Sequence, residues 1–332
     1  MAVPRTVGLG GRLRSLPERG LRAGLLALSR RRSLGTLATR VPLGRAMVAR
    51  FVAGETFDQA RPALERLREA GLRTTVDVLG ESVSTADAAR AASDAYVTIL
   101  DSLAAMGADL NVSLKLSQMG LDVDESLCRD NVARILERAG VLGAFVRIDM
   151  EGSATTDRTL SLWRELRSIN AGRGDSGVVI QAALRRSEAD LEALIAEGAR
   201  LRLCKGAYRE PPDIAFQGRA DIDASYGRLM ERLLSDGTSP ALATHDDVLI
   251  QKAIRFARDN DISPERFELQ MLYGVRRDLQ ARLVKAGYAV RVYVPFGDQW
   301  YPYFMRRLAE RPANVAFVLR SVLGERRGSP SN

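Results

Sequence analysis

The sequence predicts an α/β protein folded as a closed parallel (βα)8, TIM-like barrel, and three observations carry that prediction. From about residue 72 a short β-branched or apolar run is followed by a polar stretch with apolar residues at three-to-four spacing. The alternation repeats eight times, which points to a closed ring of strands rather than an open doubly wound sheet. The nucleotide loop that opens such sheets is also missing: "GLGG" precedes no strand, no GxGxxG opens a helix, and there is no Walker sequence.

The elements follow in order. "LRTTVDVLG" carries Asp77 toward its end and leads into a helical segment at 85–106. "LNVSLKLSQMG" carries Lys115 and leads into 125–140; "FVRIDMEG" carries Asp149 and Glu151 and leads into 157–170. "GVVIQAAL" carries Gln181 before the segment 187–198, and "RLRLCKGAY" carries Arg202, Lys205 and Tyr208 before 219–236. "ALATHD" ends on Thr244 and His245 before 246–260, and "FELQMLYG" carries Gln270 and Tyr273 before 275–286. The eighth run, "VRVYVPFGD", carries Arg291 and Tyr293, after which Pro295 and Gly297 are expected to break the chain.

Composition sets the outer bounds. At 332 residues, 46% apolar and 27% charged, the chain can bury a core large enough for a barrel with an N-terminal appendage, or for two domains. Cys128 and Cys204 lie far apart, which gives neither a disulfide framework nor a metal-ligand pair and fits a reducing compartment. The net charge of +8 is segregated: residues 1–50 hold eleven arginines and a single acid, Glu18, leaving the rest close to neutral, so nucleic acid is not the expected partner. That head suits a solvated or helical extension, a targeting segment or a membrane-surface segment. No apolar run reaches the roughly 18 residues of a spanning helix, and "LRAGLLALS" is interrupted by Gly24 and closed by Arg30, Arg31 and Arg32.

A barrel places its active site at the C-terminal ends of the strands, where the polar residues named above gather. Such side chains in apolar strands are costly unless paired or used. Lys115 or Lys205 can serve as a Schiff-base nucleophile or be paired with an acid such as Asp149. His245 is the only histidine, which removes His-rich zinc and most multi-histidine iron sites; no GxSxG elbow accompanies it. It can act as a base, or its "THDD" setting can cap the next helix through Asp246 or Asp247.

The segment after the eighth strand adds a different signal. Tyr303, Arg306, Arg307 and Glu310 stand at i, i+3, i+4 and i+7, on one side of a helix. Adjacent arginines repel unless an anion or Glu310 is close, and Tyr303 sets an apolar plate beside them. The group suits a small molecule with a carboxylate at one end and a compact hydrocarbon body at the other.

The motifs "SLKLSQMGL", "RIDMEGS", "VVIQAALRR", "RLRLCKGAYRE", "ATHDD", "FELQMLYG" and "YVPFGDQWYPYFMRRLAERPANVAFVLRS" occur in family order over about residues 50–322 and resemble those of the monofunctional proline dehydrogenases of bacteria. The resemblance implies a distorted (βα)8 barrel whose final helix caps the barrel top. The chain would divide into an Arg-rich extension with helices (1–70), an FAD-binding catalytic barrel (71–322) and a polar tail (323–332). It further implies oxidation of L-proline to Δ1-pyrroline-5-carboxylate by hydride transfer to FAD, with a quinone reoxidising the flavin. The location would be cytoplasmic, peripheral at the inner face of the membrane. Residue by residue, Arg306 and Arg307 would clamp the proline carboxylate with charge from Lys115, and Leu272, Tyr293 and Tyr303 would pack on the ring. Asp149 would orient Lys115 and close the site. Met150, Gln181, Arg202, Lys205, Gly206, Ala207, Tyr208, Thr244 and His245 would line FAD, with Arg202 at the reacting edge. A colourless Schiff-base or phosphate-binding barrel enzyme, and an adaptor binding RNA or lipid through residues 1–50, are the rival functions.

Overall fold

In the computed structural model, residues 48–80, 82–169 and 175–310 are described. The Arg-rich head up to residue 47, the tail and the side chain of Glu310 lie outside them. Eight parallel strands form one closed ring in sequence order: β1 (Arg73–Val78), β2 (Asn111–Lys115), β3 (Phe145–Asp149), β4 (Asp175–Gln181), β5 (Arg200–Cys204), β6 (Thr238–Ala243), β7 (Glu268–Leu272) and β8 (Val290–Phe296). The ring closes where β1 pairs with β8 from Arg73 opposite Arg291 to Val78 opposite Phe296. Alternation along each strand sorts its side chains. Val76, Val112, Leu114, Val146, Ile148, Val178, Ile180, Leu203, Leu242, Val292 and Val294 join the main hydrophobic cluster with the surrounding helices. Their neighbours Thr75, Asp77, Ser113, Arg202, Gln270 and Arg291 are also buried, and they bond across the ring.

Helix α1 (Phe57–Glu69) precedes the barrel; α2 (Ala86–Ala105), α3 (Glu125–Leu142), α4 (Thr156–Ile169), α5 (Ser187–Ala196), α6 (Arg219–Asp236), α7 (Asp247–Asp259) and α8 (Arg277–Lys285) each follow a strand. Their bounds lie within three residues of the sequence expectation, because the caps are written locally. Thr56, Thr85, Asp124 and Asp246 accept backbone N–H bonds at the starts of α1, α2, α3 and α7. Gly143 ends α3 in the left-handed conformation, φ 68°.

Two helices depart from a regular barrel. After β8, α9 (Trp300–Glu310) does not join the wall. Its Trp300, Tyr301, Tyr303, Phe304 and Met305 pack in a separate cluster with Phe51, Val52 and Leu79, with Val275 at its edge. Leu79 and Val275 follow β1 and β7, so α9 sits at the C-terminal end of the barrel. The wall position beside β8 and β1 is taken by α1, whose Ala60, Ala63 and Leu64 belong to the main core and whose Phe57 ring meets Phe296 edge-on at 6.0 Å.

Pro295 does not break the chain where the sequence suggested. It lies within β8, opposite Asp77 of β1. On the other side β7 ends at the Leu272–Tyr293 pairing, and residues 53–54 take over: Ala53 N donates to Pro295 O at 2.9 Å and Gly297 N to Gly54 O at 3.0 Å. That edge asks for a carbonyl from Pro295 and no ladder N–H, which proline can satisfy. The turn comes at Gly297, φ 134°.

Candidate active site

At the mouth of the barrel four ionisable side chains from four strands meet. Lys115 Nζ at the end of β2 donates to Asp77 Oδ1 at 3.1 Å and to the Tyr293 hydroxyl at 3.2 Å, and stands 3.6 Å from Asp149 Oδ2. Tyr293 OH donates to Asp149 Oδ2 at 2.8 Å. Asp149, expected to orient Lys115, forms an ion pair with it at 3.6 Å and makes shorter bonds to Tyr293 and Arg202, while Asp77 accepts the direct hydrogen bond from the lysine. Asp77 is 1% exposed and its Oδ2 has no hydrogen-bond partner. Burial, with repulsion from Asp149, outweighs the pull of Lys115 and pushes the Asp77 carboxyl up to about 6. Burial alone would lower the Lys115 ammonium, but Asp77, Tyr293 and Asp149 around it hold it well above the usual lysine range. A lysine kept charged in this way supplies positive charge and is a poor Schiff-base nucleophile.

Arg202, buried on β5, reaches across the interior. Its Nε donates to Gln270 Oε1 at 2.5 Å, Nη1 to Asp149 Oδ1 at 2.6 Å and Nη2 to Ser113 Oγ at 3.0 Å; Ser113 Oγ in turn lies 3.1 Å from Thr75 Oγ1. A guanidinium has five N–H donors, so these three bonds fix its plane and leave one hydrogen on each terminal nitrogen. The Tyr293 ring lies beside it, 5.4 Å from its central carbon. Ser113 and Thr75 escaped the sequence argument; inward alternation from Lys115 and Asp77, two residues on, was the available signal.

The β4–β6 side of the rim has a different character. Gln181 Nε2 donates to the Glu151 carbonyl at 2.8 Å, turning its oxygen toward Gly206, where an added Cβ would stand 3.2 Å from it. Gly206 has φ 101°, and with Ala207 and Tyr208 it forms an exposed backbone rim after β5, Tyr208 being 44% exposed. Lys205 Nζ is shared between Asp223 at 2.5 Å and Asp246 at 3.0 Å. Asp246 is the residue that caps α7, donation from Val248 N being 3.1 Å. Thr244 Oγ1 accepts from Asp246 N at 3.2 Å, and His245 Nε2 accepts from Leu272 N at 2.9 Å, which places the histidine proton on Nδ1. Met150 is buried in the main hydrophobic cluster.

On α9, Tyr303 is buried, Arg306 and Arg307 are half-buried, and the Arg307 guanidinium lies 5.1 Å from the centre of the Tyr303 ring. Half-buried Leu272 closes β7 opposite Tyr293. The polar mouth, the Gly206 rim and the aromatic-cationic helix thus lie at one end of the barrel.

A proline dehydrogenase family model matches residues 60–320. Proline dehydrogenase 2 of Bacillus subtilis (strain 168) is 38% identical over 278 residues, which is 84% of this chain and 91% of the relative. The proline dehydrogenase of Deinococcus radiodurans is 39% identical over 280 residues, 83% of this chain and 90% of the relative. The chain belongs to the proline dehydrogenase family. It is thereby an oxidoreductase of the first step of proline catabolism, and the family is flavin-dependent. Among solved structures, proline utilization A (PutA) from Bdellovibrio bacteriovorus inactivated by N-propargylglycine superposes with TM-score 0.76 at 27% identity, over 84% of this chain. This chain spans 34% of that larger one. Among the described residues, no helix of this proline dehydrogenase family member is long and apolar enough to cross a membrane.

The donor chemistry of the mouth fits a flavin nucleotide. Arg202 keeps two N–H groups beyond its fixed bonds, and the glycine at 206 leaves its backbone uncovered beside Gln181. The charge of Lys205 is already met by two carboxylates, so it favours holding the rim loop against α6 and α7 over gripping a phosphate directly.

Proposed function

We propose that this chain oxidises L-proline to Δ1-pyrroline-5-carboxylate with FAD as its flavin, and that the observation carrying this is the pairing of a fixed, buried Arg202 with an aromatic-cationic helix at the same end of the barrel. Arg306 and Arg307 grip the substrate carboxylate, a planar fork suited to two parallel bonds. Lys115, held charged by Asp77, adds attraction for the same group. Leu272, Tyr293 and Tyr303 give the ring an apolar bed. Anchoring a remote carboxylate fixes the carbon next to the ring nitrogen in one place, and that positional gain is the chief contribution of α9.

FAD supplies the two-electron acceptor that takes the hydride as the ring nitrogen loses its proton. Met150, Gln181, Gly206, Ala207, Tyr208, Thr244 and His245 would hold it, with Lys205 bracing the loop. Arg202 would offer its two remaining N–H groups to negative charge on the flavin, and its bond to Asp149 would hold it in that orientation. A quinone is the acceptor that completes the turnover, so the enzyme works at the inner face of the membrane from the cytoplasm. The eleven arginines of residues 1–50 have the charge to meet anionic lipid.

Purified protein tests this directly. The expected result is a yellow protein that releases FAD on denaturation, bleaches anaerobically with L-proline and recovers colour with a quinone. A colourless protein that takes up no FAD, or a borohydride-trapped adduct on Lys115, would overturn it. Deleting residues 1–40 is expected to leave dye-linked proline oxidation intact and to weaken binding to anionic vesicles.

A further inference from the structure

Below Arg202, toward the floor of the barrel, begins a second polar chain, made of residues with no assigned part in holding the substrate. Gln270, 4% exposed on β7, accepts from Arg202 Nε through Oε1 at 2.5 Å and donates through Nε2 to Glu268 Oε1 at 2.5 Å. Glu268 lies two residues earlier on the same inward face, and Arg291 Nε of β8 holds both its oxygens, at 2.9 and 3.1 Å. Arg291 Nη1 donates to the Thr74 carbonyl at 2.6 Å, tying the chain to the β1 backbone.

We infer that Gln270, Glu268 and Arg291 form a positioning relay that fixes the plane of Arg202. A glutamine amide has an accepting end and a donating end, and turned over it would aim an NH2 group at a guanidinium that can only donate. It would also face an oxygen toward Glu268. An ionised carboxylate accepts only, so Glu268 rejects the turned amide and selects the one that holds Arg202. Arg291 makes that selection durable. Burial alone would raise the Glu268 carboxyl, but Arg291 and the Gln270 amide outweigh it and hold it below the usual carboxylate range. With Nε fixed from below, Nη1 falls on Asp149 and Nη2 on Ser113, and the two remaining hydrogens are aimed rather than free to swing. Gln270 is therefore a positioning residue, acting through Arg202; the inference rests on the assignment of Arg202 to the flavin's reacting edge.

Exchanging the two side chains, Gln270→Glu with Glu268→Gln, tests the relay while conserving volume and net charge. The carboxylate then stands beside Arg202, and the amide between it and Arg291 donates to that carboxylate while its oxygen, at the position 3.1 Å from Arg291 Nε, accepts from the arginine. Measured on the FAD-loaded full chain are kcat and KM for proline, the reduction potential of the bound flavin, and Tm. Gln270→Leu is expected to lower kcat by about 10- to 100-fold, as small misplacements of a charged group do, with proline KM within about twofold because the carboxylate grip on α9 is untouched. The potential should move to more negative values. Gln270→Glu alone sets two carboxylates against each other and should lose as much. The exchange should regain most of the lost kcat, the coupling expected of contacting residues. Gln270→Leu with lowered Tm but unchanged kcat and potential would make the cluster a packing device and overturn the relay, as would an exchange no faster than the single variants. Arg202→Lys is the control. If it leaves the potential unchanged, the assignment of Arg202 itself fails and the relay with it; if only Gln270→Leu is silent, the relay alone fails.

Discussion

Half-buried Glu268 at the floor of the barrel and buried Asp77 at its mouth are both carboxylates set beside a cation on a neighbouring strand, yet their protonation is pushed in opposite directions. Glu268 meets Arg291 through both oxygens, takes a further bond from Gln270 and stays below the ordinary range. Asp77 has one donor, Lys115, an unbonded Oδ2 and a second acid nearby, and it is pushed up to about 6. An acid whose acceptor sites are filled is a fixture of the fold. One left short of donors can still respond to what enters beside it.

Removing the cation at the floor should give the largest effect. Arg291→Met takes from Glu268 the cation that bonds both its oxygens, leaving it the Gln270 amide and Arg73 at 3.7 Å, and breaking such a pair costs up to about 3–5 kcal/mol. Chemical denaturation should show that loss while KM for proline stays at the parent value. A loss under about 1 kcal/mol would mean the pair does not saturate the floor.

The mouth should reveal itself through pH. A carboxyl raised from 3.8 to about 6 binds its proton more tightly folded than unfolded. It therefore stabilises the fold fully below pH 3.8, and that contribution is lost as pH rises through about 6. Relative to Asp77→Asn, which cannot titrate, the parent protein should lose on the order of 3 kcal/mol between pH 4 and 7. Parallel stability curves for the two proteins would mean that Asp77 is as fixed in its protonation as Glu268.

Arg306→Lys keeps charge and removes the fork. Losing a charge-assisted bond costs about 1.5–3 kcal/mol, or roughly ten- to 150-fold, read as a raised KM for proline with Tm unchanged. Inhibitors without a carboxylate should bind as before, and equal weakening of both inhibitor classes would move the anion grip away from α9. Smallest of all should be Glu55→Ala, which takes away the acceptor of the 3.1 Å bond from Trp300 Nε1 and leaves the buried indole ring in place. About 0.5–1.5 kcal/mol of stability is expected, because the apolar side of α9 carries its anchorage.

The barrel was legible in the sequence because each strand announces itself by a β-branched or apolar run and helices such as α2, α3 and α7 by their caps, both local signals. The residues of the mouth were legible too, since this architecture sends every strand end to one face. What escaped was decided by pairings between distant segments. Lys115 has two acids in reach; strand register sets it opposite Asp149, and only the side-chain geometry of the closed mouth brings Asp77 nearer, at 3.1 against 3.6 Å. Pro295 looked like a breaker because nothing in "YVPFGD" tells that residues 53–54 will lie beside it. Glu268 and Gln270 share a face by simple alternation, but their link to Arg202 and Arg291 exists only once the ring is closed.

That closure has a consequence for synthesis. The helix that completes the wall beside β8 comes from before β1, so the ring of Phe57 must wait for Phe296 before it meets its neighbour. At about 5–20 residues per second, the ribosome takes roughly 10 to 50 s to deliver the second partner after the first. Throughout that interval Ala60, Ala63 and Leu64 present an apolar stripe with no finished wall to cover it. The seam between the two ends of the barrel is thus the last joint to be made, and a nascent chain halted before β8 leaves that stripe open to any hydrophobic surface it meets.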